Sequence, residues 1–309
     1  MKVAIIGLGS IATKHIHALN VIDKNVEIFA LRSQQNANNV EGIQNIAKLS
    51  DVKDLEFVII SNPTIFHYET VKMVAEYGLP MMIEKPAFYD WNGVGEIQQF
   101  INENKIFTYV ACNLRFHPCL QFLKQKLSEK SQVNEVNIYC GSYLPDWRPN
   151  RDYKEVYSAK KELGGGVHLD LFHEIDYACW IFGFPLQWNT YTSSNSTLGI
   201  NAPDYANYLL NYNNFNINIV LNYYRKKPKR VIEILFENET WEIDLLKNTI
   251  LNDKEEVIFD ASEFTIKETY VEQMQYFIKE LSSSRAGMND INETIQILKI
   301  CLTNEPTKG

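Results

Sequence analysis

Lys85 stands in Met81-Met82-Ile83-Glu84-Lys85-Pro86, where three apolar residues run into two charges and a proline. An apolar strand has no cheap way to end on charges, and proline cannot continue its ladder. In an open α/β sheet, ligands bind outside the carboxyl ends of the strands. A lysine placed there can hydrogen-bond a substrate hydroxyl and favour its deprotonation. The pattern also leaves open a plain Glu84–Lys85 ion pair at a strand end. A second group of candidates lies in Gly164-Gly165-Gly166-Val167-His168-Leu169-Asp170-Leu171-Phe172-His173-Glu174-Ile175-Asp176. Three glycines before an amphipathic run predict a loop entering a helix. On that helix Asp170, His173 and Glu174, at i, i+3 and i+4, share one face. A histidine beside a carboxylate suits proton transfer near neutral pH, and a satisfied core histidine fits the same pattern. His168, Asp170, His173 and Glu174 have no recognised ligand spacing, so no metal is expected.

The elements that must position these residues read as two regions. Lys2–Ile6, Val26–Leu31, Phe57–Ser61, Pro80–Ile83 and Phe107–Ala111 are short apolar runs, and Ile11–Leu19, Phe66–Tyr77 and Trp91–Asn104 between them carry helical patterns. That alternation predicts βαβ units and a doubly wound parallel sheet, and the near-continuous apolar strands suit a sheet covered on both faces. After Pro118 the pattern changes. A helix-like CLQFLKQKL leads to a strand at Val133–Cys140 and a polar, aromatic segment at Tyr143–Lys161. Strands then follow at Tyr205–Tyr212, Ile217–Tyr224, Val231–Glu237, Thr240–Leu245 and Glu255–Phe259, predicting an antiparallel sheet joined by short turns. Helices at Lys267–Leu281 and Ile291–Leu302 close the chain. The expected fold is α/β: a Rossmann domain over 1–118, then an α+β domain over 119–309 with a large, mostly antiparallel open sheet. The asparagines of 189–218 read as compositional drift.

Gly7-Leu8-Gly9-Ser10-Ile11-Ala12 follows the first strand and opens the first helix. This G-x-G-x-x-A has the context of a dinucleotide turn, although a plain β–α turn shares it. Gly7 makes the bend, Gly9 admits a pyrophosphate, and Ala12 permits close helix–strand packing. The amides at Ser10 and Ile11 would meet the phosphates. A NAD site usually carries an acid at the end of the second strand, whereas this chain reads Ala30-Leu31-Arg32-Ser33. Arg32 and Ser33 can meet a 2′-phosphate, so NADP is the preferred cofactor over NAD.

The 309 residues hold 38 acidic and 30 basic side chains, for a net charge of −8. No strongly basic domain stands out, which argues against a nucleic-acid partner. No run of about 18 apolar residues predicts a membrane span, and the N-terminus lacks the h-region of a signal peptide. Five scattered cysteines without a C-x-x-C fit a reduced, cytoplasmic protein.

Taken together, G-x-G-x-x-A at 7–12, Asn62-Pro63 with His67 downstream, Glu84-Lys85-Pro86, and the glycine-rich segment into Asp170…His173-x-x-Asp176 resemble the Gfo/Idh/MocA oxidoreductases. That family comprises glucose–fructose oxidoreductase, inositol dehydrogenase and rhizopine-catabolism proteins. The motifs occur in family order along essentially the whole chain. The resemblance implies that Lys85 and His173 are the catalytic pair and that Asp170 contacts substrate or assists. It places Asn62, Pro63, His67, Glu84 and Lys85 with the cofactor. One departure stands out: the common pattern has three residues between that aspartate and histidine, and here there are two. His-x-x-Asp (His173, Asp176) is kept. Tyr143–Tyr153 (YLPDWRPNRDY) resembles a branch of bacterial surface-sugar and sialic-acid-like pathways. Trp147 and Tyr153 supply aromatic faces, while Arg148 and Arg151 supply forks for a carboxylate or phosphate. Asn113 and Arg115 add a polar cluster after the fifth strand.

The function implied is hydride transfer between NAD(P) and a carbinol or keto carbon of a sugar, sugar acid or nucleotide-sugar, and the arginine-and-aromatic segment at 143–153 favours a polar, anionic substrate. The alternatives are a reductase of a non-sugar carbonyl or double bond, and a non-catalytic NADP-binding sensor or scaffold. The family's second domain implies a homo-oligomer formed through its sheet.

Overall fold

The computed structural model describes residues 1–32, 40–130, 132–283 and 287–303. Its internal contacts divide the chain into two units, Met1–Asn113 with Ile266–Ile295, and Leu114–Thr265 with Gln296–Gly309. The first junction falls five residues before the expected boundary at 118, and Ile266–Ile295 belongs to the first unit instead of the second. The reason is packing. Helix α7 (Ile266–Ser283) buries Tyr270, Met274 and Phe277 in one core with Val3, Ile5, Phe57, Ile59 and Tyr109. Phe277 meets Phe57 edge-on, with ring centroids 4.8 Å apart.

The first unit is a six-stranded parallel sheet made of β1 (Lys2–Ile6), β2 (Glu27–Leu31), β3 (Ile43–Ile46), β4 (Phe57–Ile60), β5 (Met81–Glu84) and β6 (Thr108–Ala111), in the order β3-β2-β1-β4-β5-β6. Helices α1 (Ser10–Ile22), α2 (His67–Glu76) and α3 (Val94–Glu103) connect its strands. Every residue of β4, β5 and β6 is buried, as apolar strands covered on both faces must be. The strand order reverses between β1 and β4, which opens a crevice at their carboxyl ends. The reading of the sequence missed β3, a four-residue edge strand whose two central residues are exposed polar side chains. It also ended β5 one residue early, since Glu84 pairs with Ala111.

The second unit begins with α4 (Pro118–Leu127) and β7 (Val133–Tyr143). Two helices follow, α5 (Val167–Asp170) and α6 (His173–Phe182), and then β8 (Gln187–Ser193), β9 (Tyr205–Asn211), β10 (Asn216–Asn222), β11 (Tyr224–Phe236), β12 (Thr240–Asp244), β13 (Thr249–Asn252) and β14 (Val257–Asp260). These form an eight-stranded sheet in the order β14-β13-β12-β11-β7-β10-β9-β8. Every pairing is antiparallel except β7 with β10. Period-two alternation buries Ile138, Tyr208, Ile219, Ile232 and Ile243 on one face. The other face carries the asparagines read as drift, which are cross-strand partners. Asn207 donates to Asn218 at 2.8 Å, and Asn211 to Asn216 at 2.8 Å. Helix α8 (Ile291–Leu302) closes the chain. Among the described residues, no helix is long and apolar enough to cross a membrane.

Candidate active site

In the first unit, β1 ends at Gly7 with φ +95°. A Cβ there would lie 2.5 Å from the Asn62 backbone nitrogen, so close approach of the β1 and β4 ends requires glycine. Ser61 secures this junction by donating its hydroxyl to the Gly7 carbonyl at 2.8 Å. A Cβ at Gly9 would meet nothing within 4 Å, and no side chain caps the N-terminus of α1. The amides of its first turn, at Ser10 and Ile11, are therefore available to an anion. Ala12 is buried against the sheet, as the motif requires.

Beside the turn lies a cleft of about 760 Å³ lined by Gly7, Leu8, Arg32, Asn62, Pro63 and Phe66, among others. Among the described residues that line it, none is acidic. Asn62 donates its side-chain amide to Thr70 Oγ1 at 2.8 Å. Its Oδ1 is buried and has no donor among the described residues. An oriented carbonyl oxygen of this kind in a cleft wall fits a ligand bearing amide or hydroxyl donors. The cleft thus suits a dinucleotide in size, backbone donors and polarity. Arg32 lines it where expected, and Ser33 lies outside the described residues.

At the end of β5, Glu84 is nearly buried, and His15 Nε2 lies 2.6 Å from its Oε1. The Lys85 amide donates to Oε2 of the same carboxylate at 3.2 Å. Each oxygen of the Glu84 carboxylate thus has a partner within the fold. The Lys85–Pro86 peptide is cis. His67 is buried, with Nε2 2.9 Å from the Asn62 carbonyl and Nδ1 3.0 Å from the Pro86 carbonyl. Expected to touch the cofactor, it instead joins two turns, and it is not among the residues lining the cleft. Burial pulls its pKa below the ordinary imidazole value, against the pull of the two carbonyl acceptors. Asn113, expected at the substrate, is buried and donates to Thr269 Oγ1 at 2.7 Å.

In the second unit the predicted single helix is two. Asp170 ends α5 and His173 opens α6, so Asp170, His173 and Glu174 do not share one helical face. Leu171, at φ −100° and ψ 29°, makes the break. Gly165 has to be glycine here, because a Cβ would lie 2.1 Å from the Tyr157 carbonyl oxygen. The Asp170 carboxylate accepts from Tyr157 at 2.8 Å and from Tyr223 at 2.5 Å. Desolvation of the hydroxyls, reinforced by the Asp170 charge, raises both phenol pKa values, which keeps both hydroxyls as donors. Arg148 stacks over Tyr157 at 5.6 Å, and Trp147 packs edge-on to Tyr223 at 5.3 Å. Tyr153 donates to the Leu198 carbonyl at 3.0 Å, while Arg151 is exposed. His173 is partly exposed.

Arg115, expected at the substrate, and Glu174 are both buried in ion pairs. Arg115 has no accessible surface and donates to both Asp176 oxygens, at 3.0 and 2.8 Å. Glu174 is likewise buried, accepting from Arg230 and, at 2.7 Å, from Tyr177. These are scaffold pairs, since a buried charge must be matched. The sequence reading missed Tyr157 and Tyr223. Tyr157 sits in the aromatic segment it had flagged, but Tyr223 reads as core. His168 is partly exposed as a residue, and desolvation of its ring lowers its pKa to about 4. Among the described residues, no three His, Cys, Asp or Glu side chains gather as a metal site.

Comparison with known proteins places these features. Residues 1–111 match the model of an oxidoreductase family with an NAD-binding Rossmann fold. The scyllo-inositol 2-dehydrogenase (NADP(+)) IolW of Bacillus subtilis is 26% identical over 195 residues, covering 60% of this chain and 52% of its own. The chain spans about half the length of the curated relatives it matches, with 53% of the first and 62% of the second. The WlbA dehydrogenase of Chromobacterium violaceum, solved with NADH and UDP-GlcNAcA, has a TM-score of 0.78 at 20% identity, covering 100% of this chain and 97% of that one. The UDP-N-acetylglucosamine 3-dehydrogenase GnnA of Acidithiobacillus ferrooxidans has a TM-score of 0.78 at 17% identity, covering 98% and 95%. At these identities, the structural likeness is one of fold.

Proposed function

We propose, for a chain whose first 111 residues belong to the Gfo/Idh/MocA oxidoreductases with their NAD-binding Rossmann fold, that it is an NAD(P)-dependent dehydrogenase or reductase. It passes a hydride between the nicotinamide and a carbinol or keto carbon of a sugar, sugar acid or nucleotide-sugar. The observation that carries this reading is one sheet edge bearing both a dinucleotide-sized cleft and a buried, hydrogen-bonded mount for Lys85.

Each residue has a distinct task. The Gly7–Ala12 turn holds the pyrophosphate on the α1 amides, and Asn62 Oδ1 accepts from the bound cofactor. The cofactor supplies the hydride acceptor or donor. Lys85 polarises the substrate oxygen, and His173 takes or returns its proton. Asp170, with both oxygens engaged by tyrosines, contacts substrate through what its carboxylate and those phenols present. Trp147, Arg148, Arg151 and Tyr153 bind a polar, anionic substrate by stacking and forked hydrogen bonds.

For the cofactor we favour NADP over NAD. Arg32 and the absence of an acid among the described residues that line the cleft support this, as does the likeness to a scyllo-inositol 2-dehydrogenase (NADP(+)); two structural neighbours carry NADH. The protein associates through the outward face of its large sheet and works in the cytoplasm, where its five buried cysteines stay reduced. The test is thermal shift with NADPH against NADH, followed by turnover over a panel of sugars, sugar acids and nucleotide-sugars. A larger shift with NADH overturns the cofactor preference. Tight cofactor binding with no turnover on any member overturns the enzymatic reading in favour of a sensor or scaffold.

A further inference from the structure

Lys85 is flanked on both sides by backbone or side chain that a buried histidine holds. Before it, Glu84 presents one oxygen to His15 Nε2 at 2.6 Å and the other to the Lys85 amide at 3.2 Å. After it, the Pro86 carbonyl faces His67 Nδ1 at 3.0 Å. His15 has no accessible surface and His67 has 1%. Neither lines the cofactor cleft, so neither is placed to touch a ligand there.

The two supports reach back to the elements that shape the cofactor cleft. His15 lies in α1, the helix that opens at the Gly9 turn. The other nitrogen of His67 faces the Asn62 carbonyl at 2.9 Å, and Asn62 lines the cleft. The His15 ring is fixed from a further side by Tyr270 of α7, which meets it edge-on at 6.0 Å. Tyr270 accepts in turn from Lys14 Nζ at 3.2 Å. His15 Nδ1 is buried with no partner among the described residues. Nε2 is therefore the nitrogen through which the ring is anchored, and a neutral imidazole with its proton there donates to Glu84.

We infer that His15 and His67 are positioning residues that bracket Lys85, tying its placement to the walls of the cofactor cleft through Glu84 and Pro86. A reacting group must be held within a fraction of an ångström, and small displacements cost large factors in rate. A flexible lysine gains its precision from the backbone on which it is mounted. The inference rests on the reading that Lys85 takes part in turnover. The charged and titratable groups facing this mount are Glu84 from β5, Lys14 from α1, Tyr270 from α7 and His67 from α2.

Backbone hydrogen exchange tests the bracket without a substrate. In His15→Ala, amides at residues 84 and 85 should exchange about tenfold faster, the factor expected for one lost hydrogen bond. Amides of β1 and β4 should be unchanged. His15→Gln, which can still present a donor at the Nε2 position, should restore most of the protection. Uniform acceleration across the first unit in both variants, or none at 84 and 85 in His15→Ala, overturns the inference. Kinetics supply the second arm once a substrate is in hand. His15→Ala should lower kcat by about tenfold or more while the cofactor Kd stays within twofold. Glu84→Gln, which removes the neighbouring charge, should also shift the pH profile, whereas His15→Gln should leave it in place. If Lys85→Ala abolishes turnover but His15→Ala does not lower kcat, the bracket is wrong and the catalytic reading stands. If Lys85→Ala turns over normally, the catalytic reading itself falls, while the exchange result still judges the bracket.

Discussion

The Lys85 turn of the first unit and the Tyr143–Asp170 segment of the second solve different mechanical problems. The first is backbone held by buried side chains: His15, Glu84 and His67 are nearly or wholly inaccessible, and their partners include the Lys85 amide and the Asn62 and Pro86 carbonyls. The second is a surface of aromatic and cationic side chains that hold one another. Arg148 lies over Tyr157, Trp147 meets Tyr223, and two phenols meet on Asp170. A reaction centre that serves every turnover gains from a mount that cannot move. A surface that must match one substrate gains from side chains that can be exchanged without disturbing the backbone.

The largest effect should come from breaking the rigid side at its tip. Lys85→Ala should lower turnover by about 10²–10⁴, the usual worth of a proton-transfer group, while thermal stabilisation by the cofactor stays intact. Equal loss of both makes Lys85 a structural residue. Next in size, Arg115→Ala tests whether the second unit has its own rigid base beneath the adaptable surface. Removing the guanidinium from the buried Asp176 carboxylate should cost about 3–5 kcal/mol in denaturant unfolding. A cost below about 1 kcal/mol, the scale of exposed pairs, would mean that the pair is not held as tightly as its burial implies.

Acid should then expose the difference between the units. Desolvation of the ring lowers the pKa of His117 and of His168 from 6.5 to about 4. The unfolded chain takes up these protons near 6.5 and the folded chain only near 4, so stability is complete above 6.5 and is lost as pH falls through this window. A scan of Tm from pH 7 to pH 4.5 should show the decline. His117→Gln should flatten it, and an unchanged slope would show that carboxylates dominate instead. The smallest effect belongs to the adaptable surface. Tyr157→Phe removes one donor to Asp170, a change of about 1 kcal/mol. It should alter KM severalfold for whichever compound of the panel turns over, with little change in Tm. A loss of kcat as large as that of Lys85→Ala would place Tyr157 among the reacting groups and erase the contrast.

What could be read from the chain follows the range of the forces involved. Gly7, Gly9 and Ala12 were legible because a tight turn into a helix makes local demands on backbone and Cβ. Lys85 was legible because the proline after it cannot continue a strand's ladder, even though the charge before it, Glu84, still pairs in β5. The burial of Arg115 was not legible because its partner Asp176 is 61 residues away, and nothing nearby in sequence announces that the pair is buried. The same distance effect hid the role of His15, 69 residues from Glu84. It also hid the asparagines of β9 and β10, which face each other only once the strands are in register. The single helix expected at 167–176 failed because spacing cannot see a break such as that at Leu171.

By itself, then, the sequence determined the parallel βαβ order, the glycine turn, the position of Lys85 at a strand's carboxyl end and the alternating strands of the second unit. These depend on chain direction, steric freedom and apolar period, all written within a few residues. Only the tertiary structure decided which charges are scaffold and which are surface, that α7 completes the first unit's core, and that two histidines hold the backbone on either side of Lys85. Burial and pairing arise from residues brought together across the fold, and a charged side chain carries the same letter whether water or a carboxylate surrounds it.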